Sequence, residues 1–261
     1  MRVPVTSQRI RRRRARYARV LWTGAEVLVT LGLVLLLLVV HQLWWTNRQA
    51  QEGAERKVQA LEREWEGEGD GGSSGPTDSG GGSGGADGSS RRAQSSGPDP
   101  AIASAPATRP RWDQAYAILT IPRLGLRVPV AEGISKPNVL NKGYVGHYPD
   151  TAQPGRAGNV ALAGHRNAHG EPFRHIDRLR RGDRLKVETR TATYTYVVDG
   201  TLAQTSSRDG GVIRDIPRSA VHPRYGYTDP GYYITLTTCT PEYTSKYRLV
   251  VWGKLASMRP R

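Results

Sequence analysis

The chain has 261 residues, 38 Lys and Arg against 23 Asp and Glu, a formal net charge of +15 and one cysteine. A single thiol excludes an internal disulfide framework. The basic excess invites a nucleic-acid reading, but no helix-turn-helix, RNP or zinc-finger pattern accompanies it, and the N-terminus argues for an outward-facing domain, so nucleic acid is set aside as a partner.

Residues 1–19 carry eight arginines (Arg2, Arg9, Arg11, Arg12, Arg13, Arg14, Arg16 and Arg19) and no acid. An apolar stretch follows over 20–45, free of charge across 27–40, which is enough to cross a bilayer. The arginines should stay inside, giving a single-pass protein of the cell membrane with a basic cytoplasmic tail and an extracytoplasmic bulk. Leu43, Trp44 and Trp45 are bulky, and no A-x-A site follows them, so the segment reads as a retained signal anchor with an interfacial tryptophan belt. Glu26 and His41 lie near the ends of the span, within reach of water or headgroups.

Over 46–66, Ala50, Ala54, Val58, Leu61 and Trp65 recur at helical spacing among charges, which predicts a short amphipathic helix weakened by Gly53. Residues 67–111 are rich in Gly, Ser, Pro and Asp and cannot bury a core. They read as a disordered linker, a tether spanning roughly 35 Å that lets the following domain search its surroundings.

The remainder, 112–257 with a short tail at 258–261, is one domain large enough for its own core. It is basic in its own right, with 22 basic and 12 acidic residues over 112–261. Anionic lipid or wall polymer would suit that charge, and so would simple solubility. Short β-like runs at Ala115–Ile121, Arg184–Thr189, 192–199, 232–238 and 247–255, punctuated by Gly, Pro, Asn and Asp, predict an all-β barrel. Only 173–180 invites a helix.

Cys239 ends one apolar, β-branched run and Arg248 opens the next. Alternation sends Ile234 and Leu236 to one face and Tyr233, Thr235, Thr237 and Cys239 to the other, while Leu249 and Val251 oppose Arg248, Val250 and Trp252. If the two runs pair as a hairpin, the thiol and the guanidinium lie near its mouth on the side away from the core. A nucleophilic thiol needs a proton carrier, and His165 ends the strand-like run 159–164 after a glycine, held by scaffold yet reachable. Two other readings stay open. Cys239 can be a small buried hydrophobe beside a surface arginine. His165, His169 and His175 can be zinc ligands, although Gly170 and Pro172 spoil the helix that set would use.

ALAGHR over 161–166, TLTTCTP over 235–241 and KYRLVV over 246–251 together resemble the His, Cys and Arg signatures of the sortase family, in the family's order, and the TLTTCTP form resembles its class E branch of high-GC Gram-positive bacteria. GHYP over 146–149 and PFRHIDRL over 172–179 are similar in less diagnostic ways. The resemblance implies a closed eight-stranded β-barrel with short helices, here preceded by the membrane helix and linker. It implies a transpeptidase in which Cys239 forms a thioester, His165 moves the proton and Arg248 binds the carbonyl or orients the peptide, with no metal or organic cofactor required. Tyr148 and Thr238, flanking the motifs, become substrate contacts. The implied partners are secreted proteins bearing LAXTG- or LPXTG-like signals, cut between Thr and Gly, and an amine of peptidoglycan precursor. A different thiol hydrolase, or a wall-binding module without catalysis, remains the competing class.

Overall fold

No proline interrupts 7–67, and the glycines within it cost helix stability without breaking the hydrogen-bond ladder. In the computed structural model, which describes residues 7–67 and 110–261, this whole segment is one helix, α1 (Ser7–Gly67). The apolar span and the amphipathic stretch expected as separate helices are therefore continuous. From Leu21 to Val40 the large apolar side chains of α1 are exposed, and the segment is long and apolar enough to cross a membrane.

The second half of α1 has a different environment. Ala50, Ala54, Val58 and Leu61 are buried, and Val58 and Leu61 pack with Ala115, Ile118, Ala131 and Val139, flanked by Trp65, Leu140 and Tyr144. Arg127 grips the Glu62 carboxylate with both terminal guanidinium nitrogens, and this pairing holds Glu62 below its usual carboxylate range. The amphipathic face has a partner, and that partner is the folded domain. The expected linker, apart from its ends at 67 and 110–111, lies outside the described residues, as do residues 1–6 of the basic tail. Besides the linker, α1 itself therefore connects the apolar span to the domain, through its docked face.

Eight strands close a barrel: β1 (Ala115–Ile121), β2 (Leu126–Glu132), β3 (Val145–His147), β4 (Gly158–Ala163), β5 (Arg184–Thr189), β6 (Ala192–Ser206), β7 (Tyr232–Thr240) and β8 (Tyr247–Pro260). Their order is β1-β2-β3-β4-β7-β8-β6-β5, with β5 returning to β1. β2·β3 and β4·β7 are parallel, and the other pairs are antiparallel. The interior is filled by alternate aliphatics such as Leu119, Val130, Leu162, Val187, Ile234 and Leu236.

β2 and β3 carry no clear sequence signal: Pro129 interrupts the first, where it pairs opposite Ile118, and the second has three residues. β6 and β8 outrun the expected 192–199 and 247–255, because register shifts at Thr195/Tyr196, Val198/Gly200 and Leu202/Thr205 break the period-two pattern without ending the ladder. Residues 258–260, expected as tail, extend β8 to the pair Ala192↔Pro260. The helix expected at 173–180 shrinks to the 3₁₀ turn Ile176–Arg178, with Phe173 and Ile176 fully buried and Leu179 already extended.

The outer face of β7 and β8 is also not open. Thr235, Thr237, Val250 and Trp252 are buried, with Val212 and Leu202 packed on the last two. The Trp252 indole N–H donates to the Val212 carbonyl at 3.2 Å. Asp209 ties down this β6–β7 connection by accepting from Thr205 Oγ1, Ser219 Oγ and the Ala220 amide, which hold its carboxyl below the usual range against the cost of burial.

Candidate active site

The parallel β4·β7 ladder runs to the pair Ala163↔Thr237, after which the Gly164 amide donates to the Thr237 carbonyl and Thr238 Oγ1 donates back to the Gly164 carbonyl. The next residues on the two chains are His165 and Cys239. The strand ends therefore bring imidazole and thiol to one level of the barrel, both half-buried. Across β7·β8, Cys239 pairs directly with Arg248, and opposite residues of an antiparallel pair project from the same face with Cβ atoms about 5 Å apart. Arg248 Nη1 donates to the Ser245 and Tyr247 carbonyls, at 2.9 and 3.0 Å, holding the guanidinium at the hairpin mouth.

His165 Nε2 lies 2.9 Å from Asn141 Oδ1. An amide oxygen only accepts, so the neutral ring carries its proton on Nε2 and leaves Nδ1 as a bare acceptor. Burial, then the neighbouring His169 ring and Lys136, depress the His165 pKa to about 4. At neutral pH the site therefore holds an uncharged base. His169 stands 5.3 Å from His165, centroid to centroid, while His175 precedes the 3₁₀ turn. Among the described residues no three His, Cys, Asp or Glu side chains converge as a metal would need.

Tyr148 and Thr238 have different environments. Thr237 Oγ1 donates to the Leu162 carbonyl and accepts from the half-buried Tyr148 hydroxyl at 3.1 Å. Thr238 is buried and its hydroxyl is spent on Gly164, so it braces the strand that presents His165.

Sequence reasoning missed three residues. Asn141 sets the histidine tautomer, and nothing in its local sequence announces it. Arg166, whose charge suggests a surface position, is buried; Nη1 donates to the Cys239 carbonyl at 3.3 Å and to Thr240 Oγ1 at 3.0 Å, with Asp177 and Glu242 near Nη2. His147 is fully buried, with Nδ1 2.9 Å from Glu132 Oε2 and from the Tyr116 hydroxyl and Nε2 2.9 Å from Thr151 Oγ1. That network fixes the turn that carries Tyr148.

The sortase-domain family profile matches residues 119–256. The chain is 40% identical over 242 residues to Sortase SrtE1 of Streptomyces coelicolor, covering 90% of this chain and 57% of that protein. It is 33% identical over 256 residues to Sortase SrtE2 of the same organism, covering 96% and 88%. The chain belongs to the sortase family. Sortases are cysteine transpeptidases. This sortase spans 57% of the length of SrtE1, and its similarity points to class E. The crystal structure of S. coelicolor sortase E1 with a tripeptide in its active site matches at TM-score 0.54 and 49% identity, over 57% of this chain and 92% of that one. Sortase E of Streptomyces avermitilis matches at TM-score 0.51 and 41% identity, over 57% and 93%.

Proposed function

We propose that this sortase is a membrane-anchored transpeptidase that cuts an LAXTG- or LPXTG-like sorting signal between Thr and Gly and transfers the protein to an amine of peptidoglycan precursor. The observation that carries the reading is the placement of Cys239 level with His165 and directly opposite Arg248.

In the first half-reaction Cys239 Sγ attacks the threonine carbonyl carbon, and the thiol proton passes to the neutral His165 ring. Arg248 donates to the carbonyl oxygen as negative charge builds there. The Thr–Gly C–N bond breaks, the glycine nitrogen takes the proton from His165, and a thioester remains. An incoming amine then attacks the thioester, the C–S bond breaks, and His165 takes the amine's proton and passes it to the departing sulfur, restoring the thiol. Tyr148, half-buried beside the motifs, is the proposed substrate contact; Thr238 contributes through Gly164 and His165. The reaction needs no cofactor. The arginine-rich tail beside one apolar span supports a cytoplasmic N-terminus and an extracytoplasmic barrel.

The test incubates the full chain in detergent micelles with a panel of signal pentapeptides and several amines, with products identified by mass spectrometry. Thr–Gly cleavage with the amine joined to threonine is expected. Release to water alone at every amine concentration would make the protein a thiol hydrolase, and a panel with no cleavage would favour a wall-binding module.

A further inference from the structure

Four residues after His165 the chain enters an unusual conformation. His169, Gly170 and Glu171 all have positive φ, at 52°, 84° and 50°, a region that costs non-glycine residues free energy and persists only where surrounding structure enforces it. Beside local contacts such as the Glu171 amide to the Ala168 carbonyl and the Arg174–Glu171 pair, two of the contacts that hold it come from α1. The Gly170 amide donates to Asn47 Oδ1 at 2.7 Å, and Gln51 Nε2 donates to the Gly170 carbonyl at 3.3 Å. Both polar groups of one peptide-flanked residue are thus held by side chains one helical turn apart, more than a hundred residues away in sequence.

The same turn of α1 also packs against the turn that carries Asn141. A Cβ on Gly143 would come within 2.8 Å of the Ala50 carbonyl oxygen and 3.4 Å of the His169 carbonyl oxygen, so helix, Gly143 and histidine loop meet with no room for a side chain. Gly143 caps the 3₁₀ turn Leu140–Lys142, which contains Asn141, whose Oδ1 accepts the hydrogen bond from His165 Nε2–H. One turn of helix therefore braces both the loop that follows His165 and the turn that sets its tautomer.

We infer that Asn47 and Gln51 are positioning residues for His165, and that the juxtamembrane helix is a working part of the active site as well as an anchor. The inference rests on the proposed role of His165. Asn47 is two residues beyond Trp45, so the brace lies where the apolar span ends, and insertion of α1 fixes the histidine loop at the bilayer face.

The experiment uses the full chain in micelles and compares wild type with Asn47→Leu, Asn47→Asp and His165→Ala, measuring the saturated acylation rate, the peptide KM and the melting temperature. Asn47→Leu keeps helix propensity and bulk but removes the acceptor; it should slow saturated acylation about tenfold or more, a scale consistent with a small displacement of a catalytic group, with KM within about twofold. Asn47→Asp restores an acceptor and should recover most of that rate. The Asn47→Leu melting temperature should stay near wild type, since Val58 and Leu61 carry the apolar docking. Wild-type acylation by Asn47→Leu while His165→Ala is inactive would overturn the inference and leave the transpeptidase reading intact. So would a loss that Asn47→Asp does not recover, or one that follows a fall in melting temperature. Normal acylation by His165→Ala would instead overturn the reading on which the inference depends.

Discussion

At the scale of single residues, the roles of Cys239, His165 and Arg248 can be separated by substitution. Cys239→Ala should fold normally and form no acyl-enzyme, and appreciable turnover by it would exclude covalent catalysis. Arg248→Lys keeps the charge but loses the planar fork, so its acylation rate should drop on the order of a hundredfold with fold and thiol labelling preserved; near wild-type acylation would reduce Arg248 to a structural part. His165 gives the pH dependence. Its folded pKa is depressed from 6.5 to about 4, so its neutral form contributes stability that is present above 6.5 and lost as pH falls through about 4. The acid limb of acylation should accordingly lie near pH 4, and a limb near 6.5 would show that the ring is not desolvated as the fold implies. Away from the thiol, His147→Ala leaves the Glu132 carboxylate without its closest buried partner and should cost about 3 kcal/mol or more, read by denaturant unfolding.

Elements differ in how much of themselves they reveal in sequence. Ala115–Ile121 and Arg184–Thr189 match β1 and β5 end to end, because each is a short alternating run closed by turn residues. β3 is too short to have a period, and β2 hides behind Pro129. The three motif residues were legible because each stands at a strand end, where local pattern and chemistry coincide. Asn141, Arg166 and Asn47 were not, since their partners are set by contacts between segments remote in sequence. The amphipathic face of 46–66 was visible, but its partner was not: alternation records that a face is buried and not against what. Docking of α1 on β1 and β2 makes a test of its own. With a specific protease site inserted between residues 80 and 81, cleavage should leave the barrel on the membrane, held by Val58, Leu61 and the Glu62–Arg127 pair. Adding Leu61→Ala, a change that typically costs about 2–5 kcal/mol when such a side chain is buried, should weaken that hold. Release of the wild-type barrel on cleavage alone would leave the linker as its only tie.

For the whole molecule, one continuous helix carries an apolar span and docks on a closed barrel, so that under the proposed anchoring a rigid element places the candidate site relative to the bilayer. Because Cys239 is the only cysteine, it reports its own side of the membrane. A membrane-impermeant thiol reagent should label it in intact, wall-stripped cells as fully as after lysis, and labelling that appears only on lysis would reverse the topology. The central claim, that these side chains form one acyl-transfer site, is tested most directly by the intact mass of the full chain, acid-quenched shortly after mixing with a peptide carrying the sorting signal. The account predicts a mass increase equal to the peptide's portion through threonine, located on the peptide containing Cys239, discharged by hydroxylamine and absent from Cys239→Ala. Cleavage of the signal with no adduct on Cys239, or with the adduct elsewhere, would contradict it.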